Sequence, residues 1–173
     1  KTTLLIGGRY NHASVKTTDR LSPALINVEG EASPGLNNDY TYQRFNPSIG
    51  LSYQPAINST WYASAGTSNR VPTPVELACS DPEFPCLLPN AMAADPFLEQ
   101  VITTTFEGGY RTRWASGANQ YGFSFNVFKA DNKNDILFVT DGAGSGGFFQ
   151  NYGKTRRQGL ELDFDWDVSA WNF

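Results

Sequence analysis

Alternation of apolar and polar side chains dominates the sequence. Across residues 159–167 (GLELDFDWD), Leu160, Leu162, Phe164 and Trp166 alternate with Glu161, Asp163, Asp165 and Asp167. Successive side chains of a strand point to opposite faces, so one face here is apolar and the other carries only carboxylates. A helix would mix the two sets around its circumference. The same period runs through 119–129, where Tyr121, Phe123, Phe125 and Val127 alternate with Gln120, Gly122, Ser124 and Asn126. It recurs in 101–113, with Ile102, Thr104, Phe106 and Tyr110 against Thr103, Thr105, Glu107, Gly109, Arg111 and Arg113. Residues 47–54 and 60–70 repeat it, with Ile49, Leu51, Tyr53, Trp61, Ala63 and Ala65 on the apolar side. A first, weaker strand spans 2–11, where Leu4, Ile6 and Tyr10 oppose Leu5, Gly7 and Arg9.

The connections come in two lengths. Pro55–Ser59 and Ala115–Ala118 are short and turn-like. His12–Phe45, Val71–Gln100 and Asp141–Gly147 are longer, and the first two hold most of the prolines. Long and short connections alternate along the chain, which in an antiparallel meander puts every long loop at one rim. That is the layout of an outer-membrane barrel, with short periplasmic turns and long extracellular loops. Aromatics at Tyr53, Trp61, Tyr110, Trp114, Tyr121, Trp166 and Trp171 flank the strands, several beside the short turns, where an interfacial girdle belongs.

A soluble antiparallel sandwich also alternates. Two features favour the barrel. The 101–114 and 119–131 stretches exceed the ~5–6 residues of a globular strand and match the ~9–11 of a tilted membrane strand. The polar face is densely charged around Glu107–Arg113 and Glu161–Asp167, which suits a wet lumen.

Composition narrows the picture further. The 173-residue chain carries 13 basic and 17 acidic residues, a net charge of −4, which argues against general nucleic-acid binding. At 14 % aromatic residues it is too rich in buryable groups to be disordered. Mean hydropathy is −0.39, and no apolar run reaches the ~18 residues of a membrane helix. That excludes a helical span but not a barrel, whose strands show only one apolar face. Cys79 and Cys86 sit among prolines, and no second pair or histidine cluster completes a zinc pattern. A short-loop disulfide in an oxidising compartment is the better reading, two reduced thiols the alternative.

Other motifs carry little chemistry. Residues 142–147 (GAGSGG) fit GxGxxG, but a strand-like FFQN follows where a dinucleotide site needs a helix. Asp163, Asp165 and Asp167 echo a calcium loop, yet Val168 stands where that loop needs glycine. His12 is the one histidine and has no paired nucleophile. Glu107 and Glu161 read as lumen carboxylates, paired with Arg111 or Arg157, rather than as an acid–base couple. Asn58-Ser59-Thr60 fits a glycosylation sequon that means nothing in a bacterial periplasmic turn. No catalysis, cofactor or metal site is expected.

Five strings, in order across residues 46–162, resemble TonB-dependent outer-membrane receptors. NPSIGLSY (46–53) is similar to their P-x-x-G-L-x-Y strand. WYASAGTSNRVPTPVEL (61–77) is similar to Y-A-S-x-S-x-G-F-R-x-P-T-x-x-E-L, with Asn69-Arg70-Val71-Pro72 a modest departure from Gly-Phe-Arg-x-Pro. Residues 98–111 resemble L-K-P-E-x-x-x-x-x-E-x-G-x-R, and 131–138 the D-I-x-x-D-L strand end. NYGKTRRQGLEL (151–162) matches N-x-G-x-x-x-x-x-G-x-E-x, the most specific piece.

The resemblance implies an all-β, antiparallel transmembrane barrel wall: six strands and the start of a seventh, at 171–173, from a roughly 22-stranded barrel. Residues 1–173 are then a partial barrel domain without the plug domain or TonB box. It implies a bacterial outer-membrane receptor that takes up a scarce nutrient, a ferric siderophore above all. The partners would be TonB, through the missing N-terminal part, and outer-membrane lipid. Ligand contacts are expected in the long loops, at Arg70, Glu76, Phe84, Phe97, Phe148 and Phe149, because such receptors grip with exposed aromatics and charges. A Cys79–Cys86 bond would stiffen that region. The alternatives are a passive porin, or a soluble all-β ligand-binding module.

Overall fold

The computed structural model describes residues 1–18, 37–82, 97–140 and 146–168. Six strands form one antiparallel sheet in chain order: β1 (Thr2–Thr17), β2 (Asn38–Ala56), β3 (Ser59–Arg70), β4 (Val101–Ser116), β5 (Asn119–Thr140) and β6 (Gly147–Val168). A one-turn helix, α1 (Pro74–Leu77), follows β3. The sheet does not close, because within this chain β1 and β6 pair on one side only. The seventh strand expected at 171–173 lies outside the described residues.

The two short turns fall where composition put them. Ile57–Asn58 joins Ala56 to Ser59, and Gly117–Ala118 joins Ser116 to Asn119. Gly117 takes φ +63°, the positive φ that the first central residue of a II′ hairpin turn requires. A side chain there would be strained.

Register aligns the alternating residues into two faces. On one, Leu4 pairs Leu51, Ile6 pairs Ile49, Ala65 pairs Phe106, and Val127, Phe125 and Phe123 pair Leu160, Leu162 and Phe164. These apolar side chains are uncovered: Leu4 is 59 % exposed and Leu162 64 %, so this face needs an apolar solvent. At its lower border Trp61 packs on Tyr110, centroids 4.6 Å apart, and Trp114, Tyr121 and Trp166 stack in a row at 5.5 and 6.2 Å. This is an interfacial girdle beside the short turns. The other face carries Arg111, Arg113, Glu107, Glu161, Asp163 and Asp165 among Ser and Gly. Gly109 there is crowded by the Tyr62 ring and the Phe125 carbonyl, leaving no room for a Cβ. The expected ion pairs of Glu107 and Glu161 with Arg111 or Arg157 do not form; Glu161 instead accepts from Asn126 Nδ2 at 3.4 Å. Glu107 and Arg111 lie on β4 and Arg157 and Glu161 on β6, each pair four residues apart along its strand, about 13 Å at the rise of a strand, and a wet face leaves little gain in closing that gap.

The structure corrects the outer boundaries. His12–Phe45 is not all connection: β1 runs to Thr17 and β2 begins at Asn38. The reason is an inversion of the pattern. In the lower halves the apolar residues face outward. In the upper halves Val15, Tyr40, Tyr42, Ile136 and Phe149 turn inward onto a small core, while Ser14, Lys16, Asp39 and Thr41 face out. The apolar parity of the lower half therefore does not continue past the inversion. Physically, the inversion marks where the outward face leaves lipid and meets water.

Candidate functional site

β3 and β4 end at the Arg70–Val101 pair, lower than their neighbours. The β1–β2 and β5–β6 hairpins project beyond that end, and residues 71–80 and 97–100 of the β3–β4 connection sit in the notch between them. Leu77, fully buried, and Leu98 seat against Tyr40 and Tyr42 of β2, Val101, and Ile136 of β5, with Val15, Val71 and Phe149 alongside. Tyr42 Oη donates to the Leu98 carbonyl at 3.0 Å, and the Phe149 N–H to the Cys79 carbonyl at 2.5 Å. The loop therefore bridges two hairpins that do not touch each other in the ladder.

Thr73 starts α1 through a reciprocal capping box. Its hydroxyl accepts from Glu76 N–H at 3.3 Å, and its own N–H donates to Glu76 Oε2 at 2.7 Å. Pro74 stands at the first helical position, where a missing N–H costs nothing. The same Glu76 carboxylate takes a two-pronged grip from Arg70, at 2.7 and 3.1 Å. Burial pushes the Glu76 carboxyl up, but the Arg70 hydrogen bond and charge, with the Thr73 bonds, outweigh it. Its pKa lies below the ordinary 4.5. A lowered carboxylate pKa means the clasp contributes fully above 4.5 and is lost as pH falls through the still lower folded value. Hydrogen exchange of residues 73–80, corrected for intrinsic rate, should rise roughly tenfold on acidification across that window. A Glu76→Gln protein should exchange fast already at pH 7 and change little on acidification. Equal protection of both proteins at pH 7 would exclude the clasp.

Side-chain amides continue the binding of strands where the ladder stops. β2 and β3 pair only as far as Ser48–Gly66. Beyond it Asn11 and Asn46 donate to Asn69 Oδ1 at 2.5 and 2.7 Å, Asn69 donates to Gln100 Oε1 at 2.7 Å, and Gln100 reaches the Gln43 carbonyl. On the far side Asn151 clamps the Glu99 backbone, accepting from its N–H at 2.8 Å and donating to its carbonyl at 3.0 Å. Asn134, in the left-handed region at φ 56°, donates to the Glu99 carboxylate.

Of the residues expected to meet a ligand, Arg70 and Glu76 come together as the loop clasp. Phe97 stacks on Tyr42 at 5.7 Å and lies near Tyr40 at 6.1 Å, yet remains 60 % exposed. Phe149 packs edge-on against Phe138 and into the core. Phe148, paired with Val139, alternates to the opposite side of the hairpin and does not join the group. Phe84 and Cys86 lie outside the described residues; Cys79 is disulfide-bonded. Sequence reasoning missed Tyr40, Tyr42, Asn69, Glu99 and Asn151. The Thr73–Glu76 spacing was a readable sign of the cap. Among the described residues no group of three His, Cys, Asp or Glu could hold a metal ion.

The resulting surface is a rim on which Phe97 stays exposed, beside half-buried amides that bond mainly to one another and to the backbone. The Phe97 ring can stack on flat or ring-bearing ligands; among the described residues no nucleophile–base pair is assembled there. Two solved structures share the fold. The Serratia marcescens hemophore receptor HasR, solved as a double mutant with its hemophore HasA and heme, superposes with a TM-score of 0.64 at 16 % identity, covering 96 % of this chain and 28 % of that one. The copper transporter OprC superposes with a TM-score of 0.68 at 22 % identity, covering 98 % and 24 %. This chain thus spans about a quarter of either protein. No curated protein matches the sequence. The family described as "TonB dependent receptor-like, beta-barrel" matches residues 1–173. The chain belongs to that family, and its six strands are part of the wall of a bacterial outer-membrane β-barrel.

Proposed function

We propose that the protein containing this wall takes up a scarce nutrient in a TonB-dependent manner and catalyses no reaction, and that the nutrient is a ferric siderophore. The observation that carries the reading is the rim. Three long connections leave the sheet at one end, and there residues 71–80 are fastened between two hairpins with Phe97 left exposed on a Tyr40–Tyr42 platform. An exposed aromatic shelf above a polar inner wall suits the organic shell of a chelated metal. HasR was solved in complex with its hemophore and heme, and OprC is a copper transporter, which supports metal-containing cargo without selecting a siderophore. A passive porin would share the strands but not the family.

The test is uptake of radioiron-loaded siderophore by cells with and without the full-length gene, each in the presence and absence of TonB. Uptake that needs both supports the proposal. Uptake of heme or copper instead would keep the receptor and change the cargo. Uptake that continues without TonB would make the barrel a porin. In the siderophore case, Phe97→Ala should weaken binding about tenfold, the scale of one lost aromatic anchor. Unchanged affinity would remove Phe97 from the site.

A further inference from the structure

We propose that the outward face of β5 and β6, just above the apolar band, binds the phosphate groups of an anionic lipid in the outer leaflet. Register stacks three rows there: Lys129 beside Gln158, Asp131 beside Arg156, and Lys133 beside Lys154. Four cations face one carboxylate, a balance of 4 − 1 = +3. Asp131 is already shared, at 2.5 Å from Arg156 and 3.4 Å from Lys129. Lys133 and Lys154 are direct cross-strand partners, and among the described residues neither is in an ion pair. Like charges directly opposite in a sheet repel, and an anion between them relieves that repulsion. Asp135, the nearest further carboxylate on β5, turns to the other side, where Asn132 and Thr155 donate to it.

Height places the cluster at the lipid border. Tyr121 in the girdle precedes Lys129 by eight residues and Lys133 by twelve. At ~3.4 Å per residue and a tilt near ~40°, these lie about 21 and 31 Å above the girdle. The apolar band of such barrels is ~25 Å tall, so the lysines straddle its upper edge. Below them an open groove, floored by Ala63 and Ala65 and walled by Ile49, Leu51, Phe106 and Val127, leads up to Lys129. Acyl chains fit the groove and phosphates the cations, which identifies a lipid rather than a free anion. The inference rests on the barrel, not on the cargo.

The test uses the full-length receptor in detergent with added diphosphorylated lipid A, counted by native mass spectrometry. Lys133→Gln/Lys154→Gln should weaken binding roughly thirtyfold, from the usual contribution of two cations at a membrane surface. The same double variant should melt no lower than the parent in lipid-free detergent, because it removes the facing charges, and should gain less stability when lipid is added. A lumen-face control, Arg111→Gln/Arg113→Gln, should bind normally. Equal losses in both variants would reduce the effect to general charge attraction and overturn the site. So would unchanged binding in the first variant, or full competition by millimolar inorganic phosphate.

Discussion

Arginine in place of Leu162 should destabilise the barrel by about 2–4 kcal/mol, whereas arginine at the adjacent Glu161 should cost well under 1 kcal/mol. Leu162 pairs Phe125 across the ladder, four residues above the Tyr121–Trp166 row and four below the Lys129–Gln158 row. It therefore sits at mid-depth in the apolar band, and among the described residues nothing covers it. A guanidinium there has no water and no partner within reach. One residue earlier the side chain points to the wet inner face, beside Asn126. Denaturant unfolding of the full-length protein in lipid vesicles measures both. Equal costs at the two positions would mean that both faces are buried in protein, and would sink the membrane-wall reading in favour of a sandwich.

The same contrast explains what the sequence made legible. In the lower part of each strand the two faces meet different solvents, so composition alternates cleanly and the parity can be read from Leu160 to Trp166 without a structure. The short turns were equally readable, because a two-residue hairpin makes a local demand that Gly117 meets. Above the lipid border both faces meet water or protein, and apolar residues appear wherever a loop packs. Tyr40 and Tyr42 alternate as regularly as Leu160 and Leu162, but on the inward side, and they look like loop residues until Leu77 and Leu98 are placed against them. The candidate site suffers more. Arg70 and Glu76 are close in sequence and in space, so choosing them was possible; that they hold the loop depends on the angle at which β3 ends. Asn69 and Gln100, or Glu99 and Asn151, are joined only because the ladder stops early between two taller hairpins.

Removing the side chain of Leu77 should release that loop without opening the sheet. Leu77 is fully buried among Tyr40, Tyr42, Leu98, Val101 and Ile136, and truncating such a leucine to alanine costs about 2–5 kcal/mol. The six-strand ladder does not pass through it, so the cost falls on the seating of residues 71–80 in the notch. In the full-length protein, Leu77→Ala should raise hydrogen exchange in 73–80 by roughly thirtyfold or more, while Val127 and Leu162 stay protected. Val75→Ala, at a residue 49 % exposed on the same helix, is the control and should change little. If the nutrient needs the seated loop, its apparent affinity falls with the fraction of loop still closed, and the two losses should track each other across the Leu77→Ala and Glu76→Gln proteins. A loop that opens with no loss of affinity would place the binding surface elsewhere on the rim. A loop that stays closed without Leu77 would mean that the Arg70–Glu76 clasp, the Cys79 disulfide and the Asn151 clamp on Glu99 suffice to hold it. The apolar core of the notch would then be filling space rather than fastening the loop.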